Sequence, residues 1–150
     1  MAKTLTLEMV TPEKVALQAE AEFVALPGHE GELGVLPGHA PFLVMLRPGE
    51  VRVTVPGGAR RCFAVAGGFA EIQGSKVSVF AETAEQAEEI DAERARQALE
   101  RAKAQAHAPG VDPMTLAQAE SAIRRAHARL RISEMRVRRA GRGPRPHNDE

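Results

Sequence analysis

Val77-Ser78-Val79-Phe80-Ala81-Glu82-Thr83-Ala84-Glu85-Gln86-Ala87-Glu88-Glu89-Ile90-Asp91-Ala92-Glu93-Arg94-Ala95 changes its periodicity part-way along. Its first residues place Val77 and Val79 two apart, the spacing of a strand with one buried face. After about Ala84 glycine nearly vanishes, alanine, glutamate and arginine dominate, and apolar residues recur three and four apart, so helix replaces strand. The expected fold class is therefore α+β.

Upstream, the alternation repeats in Leu5, Leu7, Met9, in Phe23, Ala25 and in Val51, Val53, Val55. Between these runs lie Pro27-Gly28, Pro37-Gly38, Pro48-Gly49, Pro56-Gly57-Gly58 and Gly67-Gly68, which supply turns at close intervals. Many short strands predict a β-sandwich, or flattened antiparallel barrel, over residues 1–84. Downstream, one apolar seam reads Ala92, Ala95, Leu99, Ala102, Ala106 and another reads Leu116, Ala119, Ile123, Ala126, Leu130, Val137. His107-Ala108-Pro109-Gly110-Val111-Asp112-Pro113 separates them, with Asp112 placed as N-cap and Pro113 as the first helical residue. An antiparallel α-helical hairpin is expected over 85–139, followed by a disordered tail over 140–150. Its alanine-rich seams bury few methylenes, each worth about 0.8 kcal/mol, so the hairpin should be held weakly. That profile fits a movable switch as well as a permanently docked appendage.

Composition narrows the function. Twenty basic residues balance twenty acidic ones, which gives the whole molecule no preference for DNA or an anionic bilayer. With no Trp, no Tyr and five Phe, the core must be aliphatic and base stacking is disfavoured. The charge is uneven: residues 85–93 are acidic, and residues 124–145 are dense in arginine. That arginine run suits either an acidic partner or a solvated helix face. The single Cys62, beside Phe63 and Val65, reads as a small core residue in a reducing compartment. Met1-Ala2-Lys3-Thr4 lead straight into strand-like sequence, and no run approaches the roughly 20 apolar residues of a membrane span. No nucleophile motif or phosphate-binding glycine loop is present, so no catalytic residues are assigned. His29, Glu30, Glu32 and His39 carry metal-ligating groups, but they lack the tight His-x-His pairing of sandwich metal enzymes, and no metal is expected.

Two blocks go further. Pro27-Gly28-His29-Glu30-Gly31-Glu32-Leu33-Gly34-Val35-Leu36-Pro37-Gly38-His39-Ala40-Pro41-Phe42-Leu43 and Phe63-Ala64-Val65-Ala66-Gly67-Gly68-Phe69-Ala70-Glu71 closely resemble the signatures of epsilon subunits of bacterial and chloroplast ATP synthases. The resemblance implies a non-catalytic central-stalk subunit that couples a proton-driven membrane ring to the catalytic head and restrains ATP hydrolysis. It implies as partners the gamma subunit, the rotor c-ring and the alpha and beta catalytic subunits, at the cytoplasmic face of the bacterial inner membrane. By the same resemblance Glu32 and His39 face the ring and gamma. His39 also reads as a turn residue bonded to backbone.

Ile90-Asp91-Ala92-Glu93-Arg94-Ala95 is similar to the short motif with which some of these subunits bind ATP as a regulatory ligand rather than a required cofactor. The matching set is Glu85, Ile90, Asp91, Arg94, Ala95, Arg101, Arg125 and Arg129. Arg125 and Arg129, four apart, share a helix face and could clamp phosphate. Asp91 also reads as an ordinary N-cap, and Arg94 as a solvated first-turn residue. The resemblance further implies that Arg124, Arg131, Arg136, Arg138 and Arg139 meet an acidic segment of the beta subunit. The rival readings are a metal-dependent β-sandwich enzyme and a free-standing scaffold with a coiled-coil arm.

Overall fold

The computed structural model describes the backbone of residues 3–141 and the side chains of residues 3–136. The tail expected over 140–150 falls largely outside that range, as do the side chains of Val137, Arg138 and Arg139. Ten strands come first: β1 Leu5–Val10, β2 Val15–Ala21, β3 Phe23–Gly28, β4 Gly31–Val35, β5 Phe42–Leu46, β6 Gly49–Thr54, β7 Arg60–Val65, β8 Gly68–Gln73, β9 Lys76–Ala81 and β10 Ala84–Gln86. A 3-10 turn, Ala87–Glu89, then leads into α1 Ala92–Ala106 and α2 Pro113–Gly141.

The strands follow the path β10-β7-β6-β3-β5-β8-β9-β1-β2, with β4 added to β3. β3 and β5 meet at one pair, Gly28 with Leu46, so the path folds there into two layers. The layers close over one core because alternate residues of every long strand point inward, as in the buried-exposed alternation of β1 and β9. Leu5, Leu7, Val24, Leu26, Val51, Val53, Phe63, Ile72, Val77 and Val79 fill it. Of the five phenylalanines only Phe63 is buried, so the core is aliphatic as composition requires. The pairings among the described residues are antiparallel except β1 with β9, which run parallel because β1 is inserted between β2 and β9. Gly68 (φ +124°) sits at the corner where the chain leaves β7 for the other layer, and a Cβ there would lie 2.0 Å from the Phe80 carbonyl oxygen. Only glycine admits that approach.

Cys62 corrects one expectation. It lies on the opposite face of β7 from Phe63 and Val65, outside the main core, in a small cluster of Ala64, Ala87, Ile90, Ile132 and Met135. Period two places residues an odd number of positions apart on opposite faces, so Cys62, one residue before Phe63 and three before Val65, cannot share their side. That cluster is where α2 docks on the outer face of β7.

The two helices pack antiparallel along Ala95, Leu99 and Ala102 of α1 and Ala119 and Ala126 of α2, all buried. A second buried set on α2, Ala128 and Ile132 with half-buried Met135, marks the side that meets the sheet. Asp112 caps α2: its Oδ1 accepts from the Thr115 backbone N–H at 3.0 Å and its Oδ2 from Thr115 Oγ1 at 2.6 Å. Pro113 follows at the first helical position, where its missing N–H costs nothing.

Two predictions follow from this packing. Thr115's hydroxyl and then its N–H hold the Asp112 carboxyl below its usual range. A depressed folded pKa contributes stability that is fully present above the ordinary aspartate value of about 3.9 and lost as pH falls through the folded value. The protection of amides in the first turn of α2, measured relative to their intrinsic exchange rates, should therefore fall between about pH 5 and pH 2, and Asp112→Asn should abolish that pH dependence of protection. Separately, Ile132 is the largest buried aliphatic that α2 places on the sheet. Ile132→Ala should cost docking about 2 to 5 kcal/mol. The rate of Cys62 thiol labelling should rise about tenfold or more while the melting of the sandwich stays put.

Candidate functional sites around the docked hairpin

The docked hairpin makes two clefts with the sandwich. The first, about 500 Å³, is walled by the β1–β2 turn (Thr11 to Lys14), by Glu82 to Glu85, by the start of α1 and by Arg129 of α2. That size is ordinary for a small-molecule site. Seven of the eight motif residues line it: Glu85, Ile90, Asp91, Arg94, Ala95, Arg101 and Arg129. Arg94, Ala98 and Arg101, spaced four and three apart, present one face of α1 to it. Asp91 acts as N-cap, with Oδ1 accepting from the Arg94 backbone N–H at 3.1 Å. This leaves the Arg94 guanidinium exposed and, like that of Arg101, without an ion pair among the described residues. Arg129 Nε donates to Glu85 Oε2 at 2.8 Å, linking α2 to the sheet edge across 44 residues of chain.

Arg125 departs from the expected set. It does not line the cleft, and its guanidinium donates to Ser121 Oγ at 2.7 Å within α2. Four residues advance a helix by about 6 Å, enough to carry Arg125 past the cleft that Arg129 reaches. Sequence reading missed Thr11 and Lys14 in the same wall, because no local pattern ties the β1–β2 turn to a helix that begins some eighty residues later.

The second cleft, about 540 Å³, lies across α2 from the first and shares no lining residue with it. Arg47, Glu50 and Arg52 line it from the sandwich, and Arg124, His127 and Arg131 from α2. Glu32 lies there too, ion-paired with Arg52. So the structure gathers Glu32, expected to face the ring, with Arg124 and Arg131, expected to face the beta subunit. Arg136 lies nearer the 3-10 turn, where it donates to the Ala87 carbonyl at 3.0 Å. His39 lies apart from both clefts: its backbone N–H donates to Leu36 O at 3.2 Å, its Nδ1 to Ala40 O at 2.6 Å, and its ring meets Phe42 edge-on. Among the described residues no group of three or more His, Cys, Asp or Glu could hold a metal ion, and no helix is long and apolar enough to cross a membrane.

Comparison with known proteins gives the family. Residues 4–87 match the family profile described as ATP synthase, Delta/Epsilon chain, beta-sandwich domain, and residues 88–134 match its long alpha-helix domain. The ATP synthase epsilon chain of Nitratidesulfovibrio vulgaris is 46% identical over 132 residues, covering 88% of this chain and 97% of that one. That of Moorella thermoacetica is 49% identical over 132 residues, covering 87% and 96%. The chain belongs to the ATP synthase epsilon chain family. A chain in the Euglena gracilis mitochondrial ATP synthase superposes with a TM-score of 0.73 at 30% identity, covering 83% of this chain and 78% of that one. One in the central stalk and c-ring of the Tetrahymena thermophila enzyme, 13% identical with a TM-score of 0.60, shares the fold, over 87% of this chain and 97% of that one.

Members of the epsilon family are accessory, non-catalytic subunits of the complex that makes ATP, so the features of interest are contact surfaces. One was missed in the sequence. On the outer face of the layer away from the hairpin, registers Met45 with Phe69, Phe69 with Phe80 and Val10 with Phe80 set four apolar side chains in a row across four strands. Met45, Phe69 and Phe80 are exposed at 57%, 41% and 40%, and the two phenylalanine rings stack at 4.9 Å. A contiguous exposed apolar row of this kind is a candidate protein contact. Alternation alone treats each strand separately, and only register aligns these residues.

The Glu85–Arg129 pair gives a direct prediction. Both side chains are about one-third exposed, so solvent screening limits the pair to roughly 1 kcal/mol. A double-mutant cycle of Glu85→Gln and Arg129→Gln, read by Cys62 labelling, should give a coupling of that size, and single variants should open the hairpin modestly rather than release it.

Proposed function

We propose that this chain serves in the central stalk of a proton-translocating rotary ATP synthase, at the cytoplasmic face of the bacterial inner membrane, as an anchor with an ATP-held brake. The sandwich binds the gamma subunit and the rotor c-ring, with the Met45, Phe69, Phe80 and Val10 row against gamma and the Glu32 and His39 loops toward the ring. The hairpin moves. Docked, it leaves ATP hydrolysis free; released, it extends along gamma and offers Arg124, Arg131, Arg136, Arg138 and Arg139 to an acidic segment of the beta subunit.

The observation that carries this reading is the joint construction of the first cleft. Sandwich, α1 and α2 each contribute to it, so a ligand there binds only while the hairpin is docked. Arg94, Arg101, Arg129 and Lys14 supply charge-assisted donors to phosphate oxygens, and Glu82, Glu85 and Glu89 accept from sugar hydroxyls or an exocyclic amine. ATP at ten times its dissociation constant would stabilise the docked form by about 1.4 kcal/mol, roughly a tenfold change in population. Thin packing beneath α2 makes a shift of that size matter. In the docked form Arg136 is held by the Ala87 carbonyl, so release also frees a cation for the acidic partner. That contact should weaken with salt.

Truncation after Glu89 keeps β10 and the anchoring loops but removes the hairpin. Assembled into the complex, the truncated chain should raise ATP hydrolysis with full occupancy; unchanged hydrolysis would exclude the brake. Calorimetry on the isolated chain should show ATP binding that Arg94→Ala weakens about ten- to a hundredfold through loss of a charge-assisted contact. Absence of binding at millimolar ATP would leave Asp91 and Arg94 as an ordinary helix start.

A further inference from the structure

We propose that the second cleft is a separate anion site, taking a polyvalent oxyanion of the phosphate class that bridges the docked hairpin to the sandwich. Its hydrogen-bond donors come from two separate units that face each other. Arg47 and Arg52 belong to the sandwich, whereas Arg124, His127 and Arg131, spaced three and four apart, share one face of α2. Four arginines stand against two carboxylates, Glu32 and Glu50, in a chain whose formal net charge is zero. Glu32 is already engaged by Arg52. Arg47, Arg124 and Arg131 are exposed and make no ion pair among the described residues.

Even with both carboxylates counted, the lining holds more arginines than carboxylates, and like charges within a Debye length repel, so an anion seated between the walls favours docking. A polyvalent oxyanion removes the repulsion and accepts bidentate hydrogen bonds from guanidinium groups on both walls. The rest of the lining is small or apolar: Pro27, Pro48, Gly49, Ala128, Ile132 and Met135. Those residues offer a floor without competing acceptor side chains, and about 540 Å³ admits a pyrophosphate group comfortably. Because both walls are needed, the site exists only in the docked form and its ligand favours docking by mass action. The inference does not rest on the nucleotide reading of the first cleft.

The test uses the full-length chain carrying Arg94→Ala and Arg101→Ala, which disables the first cleft and leaves the second intact. Pyrophosphate titrated into this chain should bind by calorimetry and slow Cys62 labelling. Adding Arg47→Gln and Arg131→Gln should weaken binding by about tenfold or more, and Arg124→Gln alone should weaken it measurably, as lost charge-assisted contacts do. In a parallel arm, ATP identifies the phosphate source: binding of ATP but not pyrophosphate, abolished by the same Arg47 and Arg131 changes, assigns the site to a nucleotide's phosphate chain. No binding of either anion at about 10 mM overturns the proposal, as does binding indifferent to Arg47 and Arg131. Binding of a polyglutamate peptide with no binding of pyrophosphate or ATP overturns it in favour of a protein contact.

Discussion

The seating of Ile132 against Ala64, Ala87 and Ile90 is the contact on which the rest of the hairpin's arrangement depends. Small residues on the sheet side let α2 approach closely, and the same smallness limits what the contact buries. Full burial of one isoleucine is worth about 1.5 to 3 kcal/mol, whereas the sandwich core draws aliphatic side chains from nine strands. The molecule therefore has two tiers of stability. Under the proposed reading the sheet is the firm tier, and the hairpin leaves as a unit at lower cost. Both clefts take one wall from α2, so neither survives that departure.

Polar contacts at the hinge fix geometry more than energy. Arg129 with Glu85 and Arg136 with the Ala87 carbonyl both tie α2 to the short segment between β10 and α1. These tethers hold the end of α2 where the chain enters the hairpin, while the cap at Asp112 and Pro113 lies at the far tip. Opening can therefore pivot about residues 85 to 91 without unwinding either helix. Ala87 and Ile90, buried beneath α2, become the newly wetted surface.

How much of this was legible varies with the physical cause. Alternation and turn residues disclosed β1, β3, β6 and β9, and the periodicity change near Ala84 disclosed the helices, because both signals are local. The parallel β1–β9 pair and the fold of the sheet at Gly28 and Leu46 were not legible, since they depend on which distant strands meet. The hairpin seam through Ala95, Leu99, Ala119 and Ala126 was readable as one apolar stripe, but α2 carries a second through Ala128 and Ile132. A search for one stripe per helix stops too early. Cys62 was misplaced although period two alone puts it opposite Phe63. At the candidate site the contiguous motif from Ile90 to Ala95 stood out. Lys14 and the Arg47 to Arg52 wall carry no signal until the fold brings them in.

The arginines of α2 meet incompatible demands, and this sets the sign of any coupling. Arg129 and Arg136 are engaged by the sandwich in the docked form, and Arg124 and Arg131 face Arg47 and Arg52 across a cleft. An acidic surface elsewhere in the complex would compete for these same groups, because a guanidinium cannot serve both sides at once. If the hairpin extends as proposed, anions held in either cleft would oppose extension, and acidic partners would oppose docking. In the proposed switch, charge orders the two states against each other, with the aliphatic contact at Ile132 setting how nearly they balance. Replacing the arginines by neutral residues of similar length would leave a hairpin that docks through the same apolar seat but no longer answers to either class of ligand. In that proposed switch the alanine-rich packing and the arginine-rich surface are complementary: the first would keep the energy gap small, and the second would give solutes and partners the means to tip it.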